Sequence, residues 1–205
     1  MRVARIRTLL AVGLVGVLAA CTPGADAQGG APDAGASSPA DASARTLTVQ
    51  PREGDASDQQ IDVGGVLLDV PAGLEVRPAD DGVSTKVGLH APGRERAVLV
   101  LSVTEEQDGV TDGDVDLSRD VFEHQIIAAG LADEVTRTGV RWPTFAYAVG
   151  VELDLLVDDD ELPLAWVVGR DEDGARLVTV HVEADPGQAL QSTPAYDALR
   201  TVRFG

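Results

Sequence analysis

Oxygen-bearing side chains recur at regular intervals in the stretch DGDVDLSRDVFE. They are Asp112, Asp114, Asp116, Ser118, Asp120 and Glu123, at positions 1, 3, 5, 7, 9 and 12 of that stretch. An EF-hand loop coordinates Ca²⁺ with oxygen ligands at these offsets, but it also requires a glycine at its sharp turn. This chain has Leu117 at that turn, and Arg119 stands at a position that is normally apolar. We therefore interpret the series as an acidic loop leading into a helix, whose dipole favours carboxylates; a calcium site is the open alternative.

A second group of carboxylates lies farther along the chain. Asp158 to Glu161 follow one predicted strand, and Asp171, Glu172 and Asp173 follow the next. Aspartate and glutamate are mostly exposed in proteins, so such runs are typical of solvated hairpin ends. Weak cation binding and the docking of a basic partner are the functional alternatives for both runs.

The three histidines lack the spacing of a metal site. His90, His124 and His181 are far apart in the sequence, and His181 shares one face of its predicted strand with Thr179 and Glu183. No serine lies in a G-x-S-x-G elbow, and the glycines of DVGG lack the strand-to-helix setting of a phosphate loop. We therefore predict no catalytic residue, no bound metal, no cofactor and no enzymatic activity; an enzyme whose unrecognised site gathers scattered carboxylates with a histidine is the open alternative.

The two tryptophans are expected in different settings. Trp166 alternates with Leu164 and Val168, which predicts a place in the core. Trp142 precedes Pro143 at a strand entrance, where an exposed indole would serve as an interface anchor.

Cys21 is the only cysteine of the 205 residues, so it has no disulfide partner within the chain. It follows MRVARIR, which carries three arginines, and an uncharged run of 13 residues, Thr8 to Ala20. A spanning helix needs about 20 apolar residues, whereas a positive segment followed by a shorter apolar run is typical of a secretory signal peptide. We therefore predict export, with residues 1–20 as the signal peptide.

Leu18, Ala19, Ala20 and Cys21 resemble a bacterial lipobox, in which cleavage occurs directly before the cysteine. In lipoproteins of this type the sulfur carries a diacylglycerol, with fatty acids such as palmitate, and the new amino terminus is often acylated as well. Several acyl chains hold a soluble domain at a bilayer far more firmly than one chain does. The resemblance implies an anchor at Cys21 on the extracytoplasmic face of the cell membrane. A cleaved signal with an incidental cysteine and an uncleaved anchor helix are the alternatives.

The chain is strongly acidic. It has 34 Asp and Glu residues against 16 Lys and Arg, a formal charge of −18 at pH 7. Such a charge repels nucleic acid and anionic lipid headgroups, so we predict no nucleic-acid partner.

Residues 22–44 are all small, polar, Gly or Pro, a composition that does not form a core. We predict a flexible tether over 21–60, within which TLTV at 46–49 is either loop or a short strand.

From Ile61 onward, alternating apolar residues predict strands. VGGVLLDVPAGLEV, VSTKVGLH and AVLVLSVT form the first group. Four more strands are predicted near 134–140, 144–157, 162–170 and 175–183, and RDEDGAR supplies the hairpin turn between the last two.

Two helices are expected among these strands. Spacings of three and four predict one near 118–131, with Ser118 as N-cap and with Leu117 and Phe122 as a hydrophobic staple. Its predicted apolar face comprises Leu117, Val121, Phe122, Ile126, Ala129 and Gly130. The second is predicted in TPAYDALRTVRF, with Pro194 in its first turn.

The predicted strand at 144–157 has two unlike faces. One carries Phe145, Tyr147, Val149, Val151, Leu153 and Leu155. The other carries Ala146, Ala148 and Gly150, which would let a helix approach closely.

Five features point to a known family: the order of elements, the LDVPAGLEV strand and turn, the mid-chain helix, the long hairpin strands and the ending ALRTVRF. Together they resemble the PsbP-like sandwich, in particular the actinobacterial LpqN/LpqT lipoproteins. The likeness covers Ile61 to Phe204. It implies an α+β domain at 61–205, an antiparallel sheet with helices packed on its faces, and a location in the cell envelope. It carries no catalytic residue to this chain.

These observations favour a lipid-anchored, non-enzymatic binding or accessory module. The expected partner is another envelope component, a protein or a lipid. The alternative is a carrier of a small apolar molecule or lipid, held in a pocket between sheet and helix where Ala146, Ala148 and Gly150 leave room.

Overall fold

Strands form most of the regular structure in the computed structural model, which describes residues 46–49, 54, 58–79, 84–104, 109–157 and 160–205. The strands there are β1 Thr46–Thr48, β2 Gln59–Val63, β3 Val66–Val70, β4 Glu75–Pro78, β5 Ser84–His90, β6 Leu99–Thr104, β7 Thr136–Arg141, β8 Tyr147–Val157, β9 Asp160–Arg170, β10 Leu177–Glu183 and β11 Arg203–Phe204. The helices are α1 Asp112–Ala128, α2 Pro194–Leu199 and a short 3-10 helix at Leu190–Ser192.

The strands form two sheets. The large sheet has eight strands in the order β1-β7-β8-β9-β10-β6-β5-β4, and the small sheet has three in the order β11-β3-β2. Neighbouring strands are antiparallel except β1, which runs parallel to β7. Residues 46–49, within the range predicted as tether, are therefore paired into the edge of the large sheet.

Each face of the large sheet has its own core. On the inner face, alternate residues of β5, β6 and β10, such as Leu89, Leu101 and Val180, pack against the small sheet and α2. On the outer face, alternate residues of β8 and β9 pack against α1. Successive residues of these strands point to opposite faces of the sheet. Both faces of the central strands are covered, so apolar residues at alternate positions contribute to the two cores.

The predicted α+β class, an antiparallel sheet with helices packed on its faces, is wrong. The fold is mostly β, and one face of the large sheet is covered by a second sheet together with α2. Apolar alternation identifies strands but does not say which sheet they join. Here Gly64 and Gly65, with φ of 61° and 83°, close a tight β2–β3 hairpin, and β11 pairs with β3 to complete a separate layer.

Helix α1 begins earlier than predicted. Its N-cap is Thr111, whose hydroxyl accepts the Asp114 N–H, while the Asp114 carboxylate accepts the Thr111 N–H at 2.7 Å. This reciprocal pair is a capping box made with aspartate in place of the usual glutamate. Ser118 lies inside the helix and donates to the Asp114 carbonyl at 2.9 Å. The predicted staple is wrong as well, because Leu117 is exposed.

The later strands and the second helix are confirmed to within a few residues. β7 to β10 match the four predicted strands, Gly174 in the β9–β10 turn has a φ of 66°, and Pro194 opens α2. On β8, Val149 and Leu153 pack on the outer core as predicted. Phe145 does not share that face; it precedes β8 and packs in the inner core.

Several predictions concern residues outside the described part of the chain. They include the signal peptide at 1–20, Cys21, most of the tether at 21–60, and Asp158. Among the described residues, no helix has both the length and the apolar composition needed to cross a membrane.

A buried carboxylate fastens the small sheet. Asp69 on β3 accepts hydrogen bonds from Arg203 Nη1 at 2.9 Å, from Gln60 Nε2 at 3.0 Å and from the Gly54 N–H at 3.2 Å. Burial alone would raise the pKa of Asp69, but these hydrogen bonds and the Arg203 charge outweigh it and hold the pKa below its usual 3.8. The Asp69 N–H donates to Thr201 Oγ1, which joins this cluster to the end of α2.

Candidate functional site

The six oxygen-bearing side chains of the calcium-like series lie along α1 instead of around a loop. Arginines from three elements contact them. Arg119 lies 3.1 Å from Asp116 and 3.0 Å from Asp120, Arg137 of β7 lies 2.7 Å from Glu123, and Arg170 of β9 lies 2.7 Å from Asp112. A helix turns its side chains outward in different directions, so the series does not converge on one ion. Four of its five carboxylates bind arginines, and the pairs with Arg137 and Arg170 fasten α1 to β7 and β9.

The Asp114 carboxylate has a structural role at the start of α1. Hydrogen bonds from the Thr111 hydroxyl and the Thr111 N–H lower the pKa of Asp114, since they favour its ionised form. Within the described residues, no group of three His, Cys, Asp or Glu side chains is placed to hold a metal ion.

The acidic run at the β9–β10 turn divides into two kinds of residue. Asp171 is buried, contrary to the expectation of a solvated end, and its Oδ1 accepts the N–H groups of Ala175 and Arg176 at 2.8 and 3.1 Å. Asp171 therefore shapes the turn. Glu172 and Asp173 are exposed and border an open cleft of about 510 Å³ beside the start of α1. Glu161, from the other acidic run, is exposed on β9.

Glu183, which no sequence motif marked as a site residue, is a buried carboxylate on the outer face of the large sheet. Glu183 Oε2 lies 2.6 Å from Arg96 Nε, and Glu183 Oε1 accepts from Arg96 Nη2 at 2.8 Å. His181 Nε2 lies 3.4 Å from the same Oε1. This bidentate geometry fixes the carboxylate, which is 9% exposed, beside a half-exposed guanidinium.

The charge state of Glu183 follows from these contacts. Burial alone would raise the pKa of the Glu183 carboxyl, but the hydrogen bonds and charges of His181 and Arg96 outweigh it, so the pKa lies below its usual 4.5. Glu183 is therefore an anion at neutral pH. It orients the partly exposed side chains of His181 and Arg96.

These residues belong to a polar patch on the outer face of β5, β6 and β10. Two rows of paired residues cross these three strands. One row is Lys86, Ser102 and Thr179, and the next is Gly88, Val100 and His181. Helix α1 packs chiefly on β8 and β9, so it does not cover this half of the face. Ser102 Oγ donates to Ser84 Oγ at 3.1 Å, and this engages it with another serine instead of with His181. A nucleophile–base pair is thus not formed by these two residues.

The other two histidines are not brought to Glu183 by the described contacts. The His90 ring lies over Gly88, where an added Cβ would be 2.9 Å from His90 Nε2, and His90 Nδ1 is buried without a hydrogen-bond partner. His124 is exposed on α1. His181 is placed on the polar face of its strand, together with Glu183, as predicted. Arg96 could not be found from strand alternation, because it lies in the loop between β5 and β6.

Both tryptophans lie in the core. Trp166 is buried as predicted and stacks on Phe122 of α1, with ring centroids 4.6 Å apart. Trp142 is also buried, and its ring lies 3.9 Å from that of Phe145. The interpretation of Trp142 as an exposed interface anchor is therefore wrong, and both indoles stabilise the core.

The small residues of β8 do not border an empty space. A Cβ placed on Gly150 would lie 2.8 Å from Val140 Cγ2, and Ala148 packs against the inner core. Helix α1 packs instead on the opposite face of β8, against its large side chains. The room that the apolar-carrier alternative assigned to Gly150 is filled by Val140.

Exposed apolar side chains are concentrated on one element. In the described part of the chain, the large hydrophobic residues with exposed side chains are Leu117, Val121 and Ile127, all on α1. Leu117 and Val121 were predicted to face the core; the buried residues of α1 are Val115, Phe122 and Ile126. The prediction of the apolar face was therefore wrong for Leu117 and Val121, because apolar residues lie on more than one side of this helix.

No protein-family model matches the chain, and no curated protein matches it.

The Glu183 contacts predict a measurable acid sensitivity. A carboxyl whose pKa is lower in the folded protein adds stability that is fully present above its ordinary value near 4.5 and is lost as the pH falls through the folded pKa. We expect the free energy of unfolding of Glu183→Gln to depend less steeply on pH than that of the wild type below pH 4.5, by at most about 1.4 kcal/mol per pH unit for one proton. Urea titrations from pH 3 to pH 7 test this, with exposed Glu161→Gln as the control; equal slopes for all three proteins would contradict it.

Proposed function

We propose that this protein is a lipid-anchored, extracytoplasmic binding module without enzymatic activity. The observation that carries the proposal is the sequence Leu18-Ala19-Ala20-Cys21, placed directly after a positive segment and a short uncharged run. The single cysteine supports it, because a sulfur with no possible partner in the chain serves something other than an internal disulfide.

In this proposal, cleavage before Cys21 and acylation of its sulfur attach the chain to the outer side of the cell membrane. Two or three acyl chains make this attachment nearly permanent. The mature chain is strongly acidic, so its attraction to an anionic bilayer surface does not contribute to the anchor. The lipid therefore carries the whole of the membrane attachment.

The β-rich domain supplies the surface that is displayed. Two features support a role in binding: Arg96 and His181, which contact Glu183, are partly exposed, and α1 has exposed apolar side chains. The expected partners are other envelope components. Nucleic acid is not expected, because the net charge repels it.

Metabolic labelling tests the anchor. Cells that express the full chain are grown with an alkyne analogue of palmitate, with and without an inhibitor of the lipoprotein signal peptidase. We expect label on the chain in both cultures and a precursor of larger mass only with the inhibitor, since acylation comes before cleavage in this pathway. An unlabelled chain, or processing that ignores the inhibitor, would overturn the proposal.

A further inference from the structure

Strand β1 is the shortest strand of the large sheet and forms one of its edges. Thr46–Thr48 lie opposite residues 139–141 of β7, and the Val49 N–H donates to the Arg141 carbonyl at 3.1 Å. Among the described strands this is the one parallel pair, and parallel pairing is slightly less stable per residue than antiparallel pairing. The surface of β7 and Trp142 that residues 46–49 cover is here called the edge site.

Two apolar side chains hold β1 in the edge site. Leu47 and Val49 are both buried, and they belong to the inner core, as Trp142 does. The gain from burying two such side chains is offset by the conformational entropy lost when residues 46–49 are ordered, because the two quantities are of similar size. The docking of β1 is therefore marginal, and we expect β1 to leave the edge site without unfolding of the domain.

The chain that follows β1 is fastened to the small sheet at Gly54. The Gly54 N–H donates to Asp69 Oδ2 at 3.2 Å, and a Cβ on Gly54 would lie 2.7 Å from the same oxygen. This contact does not involve β1. Release of β1 can therefore be confined to the chain before Gly54, while β2, β3 and the cluster around Asp69 stay in place.

Two buried polar atoms flank the edge site. Thr138 directly precedes the first paired residue of β7, and Trp142 directly follows the last one. Thr138 Oγ1 and Trp142 Nε1 are buried without a hydrogen-bond partner among the described residues. A buried polar group without a partner destabilises the state that contains it. A longer extended occupant has groups to bond at both ends of the edge site that β1 does not use.

The contacts of β1 show what else the edge site accepts. An occupant needs backbone N–H and C=O groups that pair with β7, and apolar side chains two residues apart, as Leu47 and Val49 are. An acyl chain has no such backbone groups. A second copy that exchanged its β1 would bring another formal charge of −18, so the charge disfavours it.

We propose that β1 is an intramolecular latch over a binding site for an extended segment of a partner protein. The segment adds to β7 as a parallel edge strand, and two of its apolar side chains take the places of Leu47 and Val49. In the free protein the latch covers the edge of the sheet, which would otherwise be open to aggregation. This inference rests on the proposed binding role and names the site and the class of partner.

Binding of a peptide copy of β1 tests the proposal. The probe is the fluorescein-labelled peptide ARTLTVQP, the sequence of residues 44–51, and its control has serine in place of the leucine and the valine. Fluorescence anisotropy compares the purified full chain with Leu47→Ser/Val49→Ser, whose own β1 is weakened while β7 is unchanged. The variant is expected to bind the probe at least about tenfold more tightly, because its edge site is open in a larger fraction of the molecules. The control peptide should bind neither protein.

A matched variant controls for the loss of two apolar side chains. Leu117→Ser/Val121→Ser makes the same kind of change at exposed positions of α1, so it should bind the probe as the wild type does. Thermal melts confirm that each variant is folded. The intact mass of each sample reports acylation separately, so a failed anchor and a failed latch are distinguishable.

Hydrogen exchange gives a second readout on the wild type. The Val49 amide is expected to exchange at least about tenfold faster than the amides of β8 that pair with β9, because β1 opens without the rest of the sheet. If Leu47→Ser/Val49→Ser does not fold, this rate decides between a latch and a fixed strand.

Three results would overturn the proposal. The first is equal affinity of the wild type and folded Leu47→Ser/Val49→Ser for the probe, or binding to neither. The second is exchange of the Val49 amide as slow as that of β8, because β1 would then open only when the whole domain unfolds. The third is a dimer in sedimentation equilibrium that Leu47→Ser/Val49→Ser abolishes, which would assign the edge site to a second copy.

Discussion

Replacement of Cys21 by serine is expected to abolish lipid labelling of this chain and, because acylation comes before cleavage, to leave residues 1–20 attached. The hydroxyl of serine has nearly the shape of the thiol but is not the acceptor of the diacylglycerol. One myristoyl chain gives a membrane association constant of only about 10⁴ M⁻¹, and each further methylene adds about 0.8 kcal/mol. Two or more chains therefore hold the mature protein through repeated washing, and Cys21→Ser loses this lipid contribution.

The measurement is the palmitate label together with the intact mass, which reports whether residues 1–20 are removed, for the wild type, Cys21→Ser and Thr22→Ala. Thr22→Ala changes the neighbouring residue and keeps the thiol, so it should behave as the wild type does. If Cys21→Ser kept the same label and lost residues 1–20 as the wild type does, the anchor would have to lie elsewhere.

The second large effect is expected at the buried carboxylate of the small sheet. Asp69→Ala would leave the Arg203 guanidinium, the Gln60 amide and the Gly54 N–H without their shared acceptor. Breaking a buried ion pair typically costs about 3 to 5 kcal/mol, and we expect about 3 kcal/mol because the Arg203 side chain is 33% exposed. For a protein of this size the melting temperature should fall by about 6 to 12 °C.

Urea and thermal unfolding of matched variants test this expectation. Asp69→Asn keeps the shape and one acceptor oxygen, so it should lose roughly half as much stability. Asp154→Ala removes an exposed carboxylate of β8 and should change the free energy of unfolding by less than about 0.5 kcal/mol. Similar losses in Asp69→Ala and Asp154→Ala would show that the cluster does not fasten the small sheet.

Local signals in the sequence were sufficient for most of the elements. Alternating apolar residues located β7 to β10, and the glycine in RDEDGAR marked the turn where Gly174 has a positive φ. These features depend on neighbours in the chain, so periodicity and turn chemistry reveal them.

The assembly of the sheets could not be obtained in the same way. Residues of β2, β3 and β11 are apolar enough for strands, but the pairing of Arg203 with Leu67 joins residues far apart in the chain, and no local pattern encodes it. The fold class was predicted wrongly for that reason. Helix α1 was misplaced because its apolar residues lie on two sides and its capping box uses Asp114.

The candidate sites could likewise be predicted only where their residues are neighbours on one element. His181 and Glu183 are two apart on one strand, so alternation placed them together, but the contact of Glu183 with Arg96 comes from a loop. The calcium-like spacing at Asp112 to Glu123 was present in the sequence. The arginines from β7 and β9 that bind its carboxylates are tertiary partners, which spacing does not show.

The intact mass of the mature chain, extracted from the membranes of a bacterium that expresses it, tests the central claim most directly. The account predicts a polypeptide that begins at Cys21 and exceeds its unmodified mass by a diacylglycerol, with or without a further acyl group on its amino terminus. A chain that retains residues 1–20, or one that begins at Cys21 or elsewhere with no added lipid, would contradict it.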